Sequence, residues 1–166
     1  MPIPRHYRRS AAALLLASAT ALACAQAPAA LVLGATETLH VPEADLDFLA
    51  IVDTGAHRTS IHALDVRIED PAPDMQQNVG KRISFRVVNE AGRARRITST
   101  VSAVEPVRTS HGAEWRYVVP LRLRWRDVEK EVLVNLRDRT PMSYKLLVGR
   151  DWIRGFLVDV ERNSLD

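Results

Sequence analysis

A run of alternating apolar and polar residues in the second half of the chain restricts the fold more than any other part of the sequence. It covers residues 115–125, breaks at Arg126-Asp127 and resumes over residues 128–136. Strict alternation places every second side chain on one face, which is the repeat of a half-buried β-strand. Two such runs joined by a short polar break predict a long β-hairpin. The chain is therefore expected to be an all-β protein.

Shorter strands are predicted on both sides of this hairpin, separated by turn residues. The apolar or alternating segments are 31–34, 39–41, 48–52, 83–88, 96–101, 145–148 and 156–160. A turn at 89–92 joins two of them, and 150–154 has the length of one or two helical turns. Many short strands with little helix predict a small closed or semi-closed β-barrel with one short C-terminal helix.

The first 25 residues have the composition of a secretory signal peptide. This segment contains Arg5, Arg8 and Arg9 but no acidic residue, and an apolar stretch over 11–23 follows. Small residues around position 24 predict cleavage after Ala25, leaving 26–166 as one domain in the periplasm or outside the cell. The alternative is lipoprotein processing at Cys24, which would anchor the protein to a membrane.

Removing this segment changes the charge balance from 23 basic and 20 acidic residues to 20 of each. The domain is then close to neutral, which argues against nucleic acid as a partner. The basic run 93–96 also lacks the interleaved aromatic residues of a nucleic-acid site. Because Cys24 is the single cysteine, no intrachain disulfide and no cysteine nucleophile within the domain are expected.

Asp53 is the first candidate for chemistry. It comes directly after the apolar segment 48–52 and is followed at once by Thr54 and Gly55. A carboxylate at the end of a buried strand is costly unless hydrogen bonds stabilise it. A tight Thr-Gly turn can direct backbone N–H groups at that carboxylate, since glycine permits close approach of the backbone. Asp and Gly are also common in ordinary surface turns, so this motif alone leaves both interpretations open.

A second segment, about a hundred residues later, favours the catalytic interpretation. Here an apolar run over 145–148 ends in Gly149-Arg150 and leads into the predicted helix. Together with 53–63, 116–121, 134–136, Arg139, 142–150 and 156–159, these residues resemble the bacterial retropepsin-like aspartic endopeptidase family, formerly labelled putative ATP-dependent zinc proteases. The opening strand of that family is only weakly represented, by 31–34.

The resemblance implies an acid-protease β-barrel and assigns roles to individual residues. It implies that Asp53, Thr54 and Gly55 form the catalytic turn. In retropepsins the apolar segment before Gly-Arg packs against that turn, which implies supporting roles for Ala56, Val148, Gly149 and Arg150. His62 is expected to hydrogen-bond the backbone behind the turn. One position departs from the viral pattern: His57 stands where viral retropepsins have the Asp that pairs with the arginine matching Arg150. The partner of Arg150 is therefore left open.

An aspartic peptidase requires two carboxylates that share one proton. Since this chain has one Asp-Thr-Gly, a homodimer with Asp53 from each subunit is expected. A hairpin should close over the cleft as a flap, either the one around Gly92 or the one at Ser110-His111-Gly112. No metal or nucleotide cofactor is required, and the sequence has no phosphate-binding Gly-Lys-Ser/Thr loop. The expected substrate is a peptide or protein of the cell envelope.

Two other functions compete with this hypothesis. A zinc peptidase could draw ligands from His57, His62, His111 and Asp65, but their spacing matches no established zinc motif. The second competing function is that of a non-catalytic periplasmic binding or sensor module on the same barrel. This is possible because a fold does not by itself establish an activity. An intact Asp-Thr-Gly argues against the second, since a buried carboxylate is costly to keep.

Overall fold

The computed structural model describes residues 30–109 and 112–163, so the predicted leader (1–25) and Cys24 lie outside the described residues. The β-strands in this part are β1 (Val32–Leu33), β2 (Thr36–Val41), β3 (Leu46–Val52), β4 (Ser60–Ile68), β5 (Arg82–Val88), β6 (Ala94–Thr100), β7 (Ala103–Thr109), β8 (Gly112–Trp125), β9 (Val128–Arg137), β10 (Leu146–Val148) and β11 (Leu157–Val158). A 3-10 helix (Met75–Asn78) follows β4, and helix α1 (Arg150–Ile153) follows β10. Neither helix in the described ranges is long and apolar enough to cross a membrane.

The main sheet curls back on itself through β10. Its strand order is β10-β3-β2-β8-β9-β4-β5-β6, with β7 paired to β8, and β10 also pairs with β4. The link between β2 and β8 is a single pair, His40 with Arg124, so the curl is least regular there. The parallel strands β1 and β11 form a separate two-stranded sheet. The predicted all-β fold with one short C-terminal helix is confirmed for the described residues.

The core lies inside this curl and is built by the alternation seen in the sequence. Along β3, Leu46, Phe48 and Ala50 are buried, whereas Asp47 between them is exposed. Towards the end of β8, alternate side chains point into the core, and the last of them, Trp125, is buried. Trp152 of α1 stacks on Phe156, with ring centroids 5.1 Å apart, and closes one end of the core.

Two strands and the 3-10 helix were not predicted. Strand β4 is buried over its first four residues, and Asp65 adopts a positive φ of 51° where the pairing with β5 shifts register, so the strand never shows a continuous alternation. Strand β7 contains Pro106, which argues against a central strand. Among the described residues β7 pairs with β8 alone, a position in which proline is tolerated.

Candidate active site

Strand β3 carries Asp53 to the point where β3 and β10 end side by side. The two strands are parallel and Val52 lies opposite Val148. The backbone N–H of Asp53 donates to the carbonyl oxygen of Val148 at 3.0 Å. Asp53 is partly buried, and Thr54 and Gly55 are exposed. The turn therefore stands at the rim of the curled sheet, anchored on its inner side by β10.

The backbone after Asp53 folds back on its carboxylate. Gly55 N–H donates to Oδ1 at 2.9 Å, and Ala56 N–H donates to the same oxygen at 3.0 Å. A side-chain Cβ at position 55 would lie 3.2 Å from Oδ1, which is tighter than an ordinary contact. Glycine is therefore the residue that best permits this approach. Among the described residues, Oδ2 has no hydrogen-bond partner and is available to a substrate or a water molecule.

A carboxylate from α1 fixes the chain on the far side of this turn. Asp151 accepts from Thr59 N–H at 3.0 Å and from the Thr59 hydroxyl at 2.7 Å. The same hydroxyl oxygen accepts from Gly149 N–H at 3.2 Å. Thr59 is fully buried. Hydrogen bonds to an ionised group are stronger than neutral ones, so this contact joins residues 59 and 151 firmly.

Gly149 and Arg150 contact the turn through the backbone. A Cβ at position 149 would lie 2.8 Å from the carbonyl carbon of Arg58, closer than real Cβ contacts permit. Arg150 N–H donates to the carbonyl oxygen of Ala56 at 2.9 Å, while its side chain is exposed. Among the described residues the Arg150 side chain forms no ion pair, while its neighbour Asp151 binds Thr59.

His62 forms a hydrogen bond with the backbone, and its partner is residue 139, after strand β9. It is buried in β4, and its Nδ1 accepts from the backbone N–H of Arg139 at 2.9 Å. Burial lowers the pKa of His62, and the nearby Asp138 carboxylate partly opposes this. A neutral imidazole can accept at Nδ1, which is what the contact requires. His62 therefore positions the segment that carries Arg139.

Arg139 is a buried cation beside the catalytic candidate. Its Nε donates to the carbonyl oxygen of Tyr144 at 3.0 Å. Burial lowers the pKa of Arg139 to about 10, and repulsion from Arg137 and Arg116 adds to the shift. The Asp53 carboxylate acts in the opposite direction. Arg139 stays protonated at neutral pH, and its charge faces the same cleft as Asp53.

The cleft next to Asp53 has a volume of about 570 Å³ and a basic lining. The charged and polar side chains around it are Asp53, His57, Arg58, Ser60, Glu105, Arg108, Arg116, Asn135, Arg137 and Arg139. Three of these arginines are already paired: Arg58 with Glu105, and both Arg116 and Arg137 with Glu114. Within 30–109 and 112–163, Arg108 and Arg139 have no carboxylate partner. The buried Ser60 hydroxyl likewise has no hydrogen-bond partner there.

The structure also distinguishes the two candidate flap hairpins. Residues 105–108 of β7 line the Asp53 cleft, so the hairpin of β7 and β8 lies over it. Its tip, Ser110-His111, is outside the described residues. No described residue of the β5–β6 hairpin lines this cleft, and Glu90 in its turn accepts from the N–H groups of Leu49 and Lys145.

The residues considered for a zinc site are placed apart. His57 is exposed at the cleft, His62 is buried behind it, and Asp65 pairs with Arg86 at 2.8 Å. His111 lies outside the described residues. Within the part that is described, no group of three or more His, Cys, Asp and Glu side chains could hold a metal ion.

Sequence reasoning missed Asp151 and Arg58 altogether, and it assigned no role to Arg139. Their partners are 92, 47 and 77 residues away, and no local pattern reports such contacts. A weak signal was available for Asp151, because an acidic residue in the first turn of a helix often hydrogen-bonds nearby N–H groups. For a buried arginine the sequence carried no comparable signal.

The rim turn lies between the antiparallel pair β2–β3 and the parallel strand β10, which leads into α1, and this arrangement agrees with the retropepsin-like fold that the sequence motifs implied. The family model for the retropepsin-like aspartic endopeptidase RimB matches residues 32–166. The chain therefore belongs to the RimB-like family of retropepsin-like aspartic endopeptidases, as its sequence motifs predicted. A search of curated proteins found no match.

A solved structure of a related fold comes from Legionella pneumophila subsp. pneumophila str. Philadelphia 1. It is the crystal structure of the protein Lpg0085, whose function is unknown. The two chains are 25% identical, and the match has a TM-score of 0.65. It covers 80% of this chain and 95% of the Legionella chain. The similarity extends over nearly the whole described domain and supports the fold.

Proposed function

We propose that this protein is an aspartic endopeptidase whose catalytic unit is a pair of Asp53 residues from two subunits. The observation that carries the proposal is the Asp53 carboxylate itself. Two backbone N–H groups hold Oδ1, while Oδ2 is open to a cleft of peptide size. A carboxylate fixed in this way at the rim of a sheet can meet a second one across a two-fold axis.

The chemistry follows from two carboxylates that share one proton. The ionised Asp53 takes a proton from a water molecule, whose oxygen attacks the carbonyl carbon of the peptide bond. The protonated Asp53 of the other subunit gives its proton to the carbonyl oxygen. The Asp53 that took the proton from water then gives it to the amide nitrogen as the C–N bond breaks, and a hydroxyl of the tetrahedral intermediate returns a proton to the other Asp53. The products are a carboxylic acid and an amine, and the pair again shares one proton. This requires no metal and no nucleotide.

A second copy of this chain is the proposed occupant of the groove beside Thr54. This groove measures about 680 Å³ and is lined by Thr54, Arg150 and the β11 segment. Leu157, which lines it, is 60% exposed, and Val160, two residues after the end of the lining segment, is 74% exposed. Such exposure marks surfaces that another protein covers. Because the groove is continuous with the Asp53 turn, pairing there would bring two such turns together.

The basic lining of the cleft favours an acidic peptide as substrate. Arg139 and Arg108 have no carboxylate partner among the described residues, and guanidinium groups bind carboxylates in a fixed geometry. A cation that is largely removed from water gains most from such a partner. The predicted leader adds the cell envelope as the proposed location, with attachment to a membrane if Cys24 is lipidated.

In the direct test, the purified protein is incubated with matched pairs of peptides. One peptide of each pair contains glutamate residues, and the other has glutamine at the same positions. We expect cleavage that favours the glutamate peptides, weakens at high salt and persists in the presence of a chelator. Asp53→Asn should abolish it, whereas Asp47→Asn, an exposed aspartate of the same strand, should retain it. Cleavage that survives Asp53→Asn, or that stops with the chelator, would contradict the aspartic mechanism. Peptide binding without cleavage would favour the binding module.

A further inference from the structure

An ion pair crosses the cleft between the catalytic turn and the covering hairpin. Arg58, three residues after Gly55, donates from Nε to Glu105 Oε2 at 2.7 Å and from Nη2 to Oε1 at 2.6 Å. Its Nη1 also donates to the carbonyl oxygen of Leu133 in β9 at 3.2 Å. One guanidinium therefore joins the turn, strand β7 and strand β9.

The two ends of this ion pair differ in how firmly they are held. The backbone at Arg58 packs directly against Gly149, and the next residue, Thr59, is bound by Asp151. Glu105 lies on β7, which within the described sheet pairs with β8 alone. The ion pair thus connects a fixed part of the molecule to a strand that, besides its pairing with β8, is contacted by Gln76, whose Nε2 donates to Val104 O at 3.2 Å.

The geometry makes this a stronger contact than most surface ion pairs. Both carboxylate oxygens face two nitrogens of the same guanidinium, which is the bidentate arrangement. The side chains of Arg58 and Glu105 are 20% and 34% exposed, so solvent screens them only in part. The following β7 residues, Pro106 and Val107, line the cleft next to Asp53. A change in the ion pair would therefore change the width of the cleft.

We infer that Arg58 and Glu105 are positioning residues that set the distance between the β7–β8 hairpin and the Asp53 turn. This inference rests on the proposed function, because its consequence is that a peptide is held against the reacting carboxylates. Neither side chain needs to touch the reacting atoms. Loss of the ion pair should loosen β7 and weaken peptide binding without altering the turn itself.

The first test measures hydrogen exchange and needs no activity. In the Asp53→Asn protein, Arg58→Met should make the backbone amides of β7 exchange roughly five- to tenfold faster, because the strand opens more often. Amides of β2 and β3 should be unchanged. The matched control is Arg122→Met, which removes a comparable ion pair with Glu43 away from the cleft. Unchanged exchange in β7 would overturn the inference.

The second test is a double-mutant cycle on peptide cleavage. Arg58→Met and Glu105→Gln should each lower kcat/KM about tenfold, mainly through a higher KM, and the double variant should be no worse than either alone. Losses that add, or a fall in kcat alone, would contradict a shared positioning role. If the wild-type protein cleaves no peptide, the proposed function fails, and the exchange experiment still decides whether the ion pair holds β7.

Discussion

The Asp53 turn and the β7–β8 hairpin beside it are built in different ways. The turn is fixed by buried contacts: Asp151 binds Thr59, and Val148 accepts from Asp53 N–H. The hairpin reaches the turn through the partly exposed pair of Arg58 and Glu105. A reacting group must keep its geometry, whereas a cover must open for a peptide to enter. Changes to the turn should therefore affect stability and chemistry together, and changes to the hairpin should affect binding.

The largest effect on the turn is expected from Asp151→Ala. This change removes the acceptor of the Thr59 N–H and hydroxyl and leaves both donors buried. Loss of hydrogen bonds to a charged group should lower the free energy of unfolding by about 3 kcal/mol. It should also reduce kcat, because the turn loses its support. Urea denaturation and peptide cleavage measure the two effects.

The control for this variant is Asp127→Ala, at the exposed turn between β8 and β9. Its unfolding free energy should stay within about 0.5 kcal/mol of the wild-type value. If Asp151→Ala were as stable as this control, the contact with Thr59 would not be what holds the turn.

A smaller effect is expected from Gly149→Ala, which adds one methyl group against the backbone of Arg58. Overpacking of this kind should cost about 2 kcal/mol and displace the turn, with a loss of kcat. Gly92→Ala is the matched control, because Gly92 has a positive φ of 74° and open space around it. That change should cost about 1 kcal/mol and leave kcat unaltered. Equal effects on kcat would show that the fit at position 149 does not position the turn.

The sequence predicted the turn well because its determinants are local. A strand, an aspartate and a glycine are adjacent along the chain. The apolar run that ends in Gly149-Arg150 is a second recognisable motif, about a hundred residues later. The covering hairpin was harder to predict, since Pro106 obscured β7 and two hairpins fitted equally well. The cationic lining of the cleft was not predicted at all. Arg108 lies in β7 and Arg139 in the loop after β9, and only folding brings them to the same cavity.

The smallest effect concerns pH and His62. Burial holds the pKa of His62 below its ordinary value, so the unfolded chain binds a proton at a higher pH than the folded protein does. The free energy of unfolding should therefore fall as the pH is lowered through the ordinary histidine range, and be retained above it. His62→Asn, which keeps an acceptor for Arg139 N–H, should show a shallower dependence. The measurement is the free energy of unfolding from urea denaturation between pH 7 and pH 5. If it changed with pH equally in the wild-type and His62→Asn proteins, His62 would not contribute.

The proposed catalytic unit consists of two Asp53 residues, one from each subunit. It is tested most directly by adding Asp53→Asn protein to a fixed amount of wild-type protein and measuring peptide cleavage after the subunits have exchanged. An equal amount should lower the activity to roughly half, because about half of the wild-type subunits then lie in mixed dimers with one carboxylate. A ninefold excess should lower it to roughly a tenth by the same reasoning. Activity that is unchanged by any excess of Asp53→Asn would contradict the shared site.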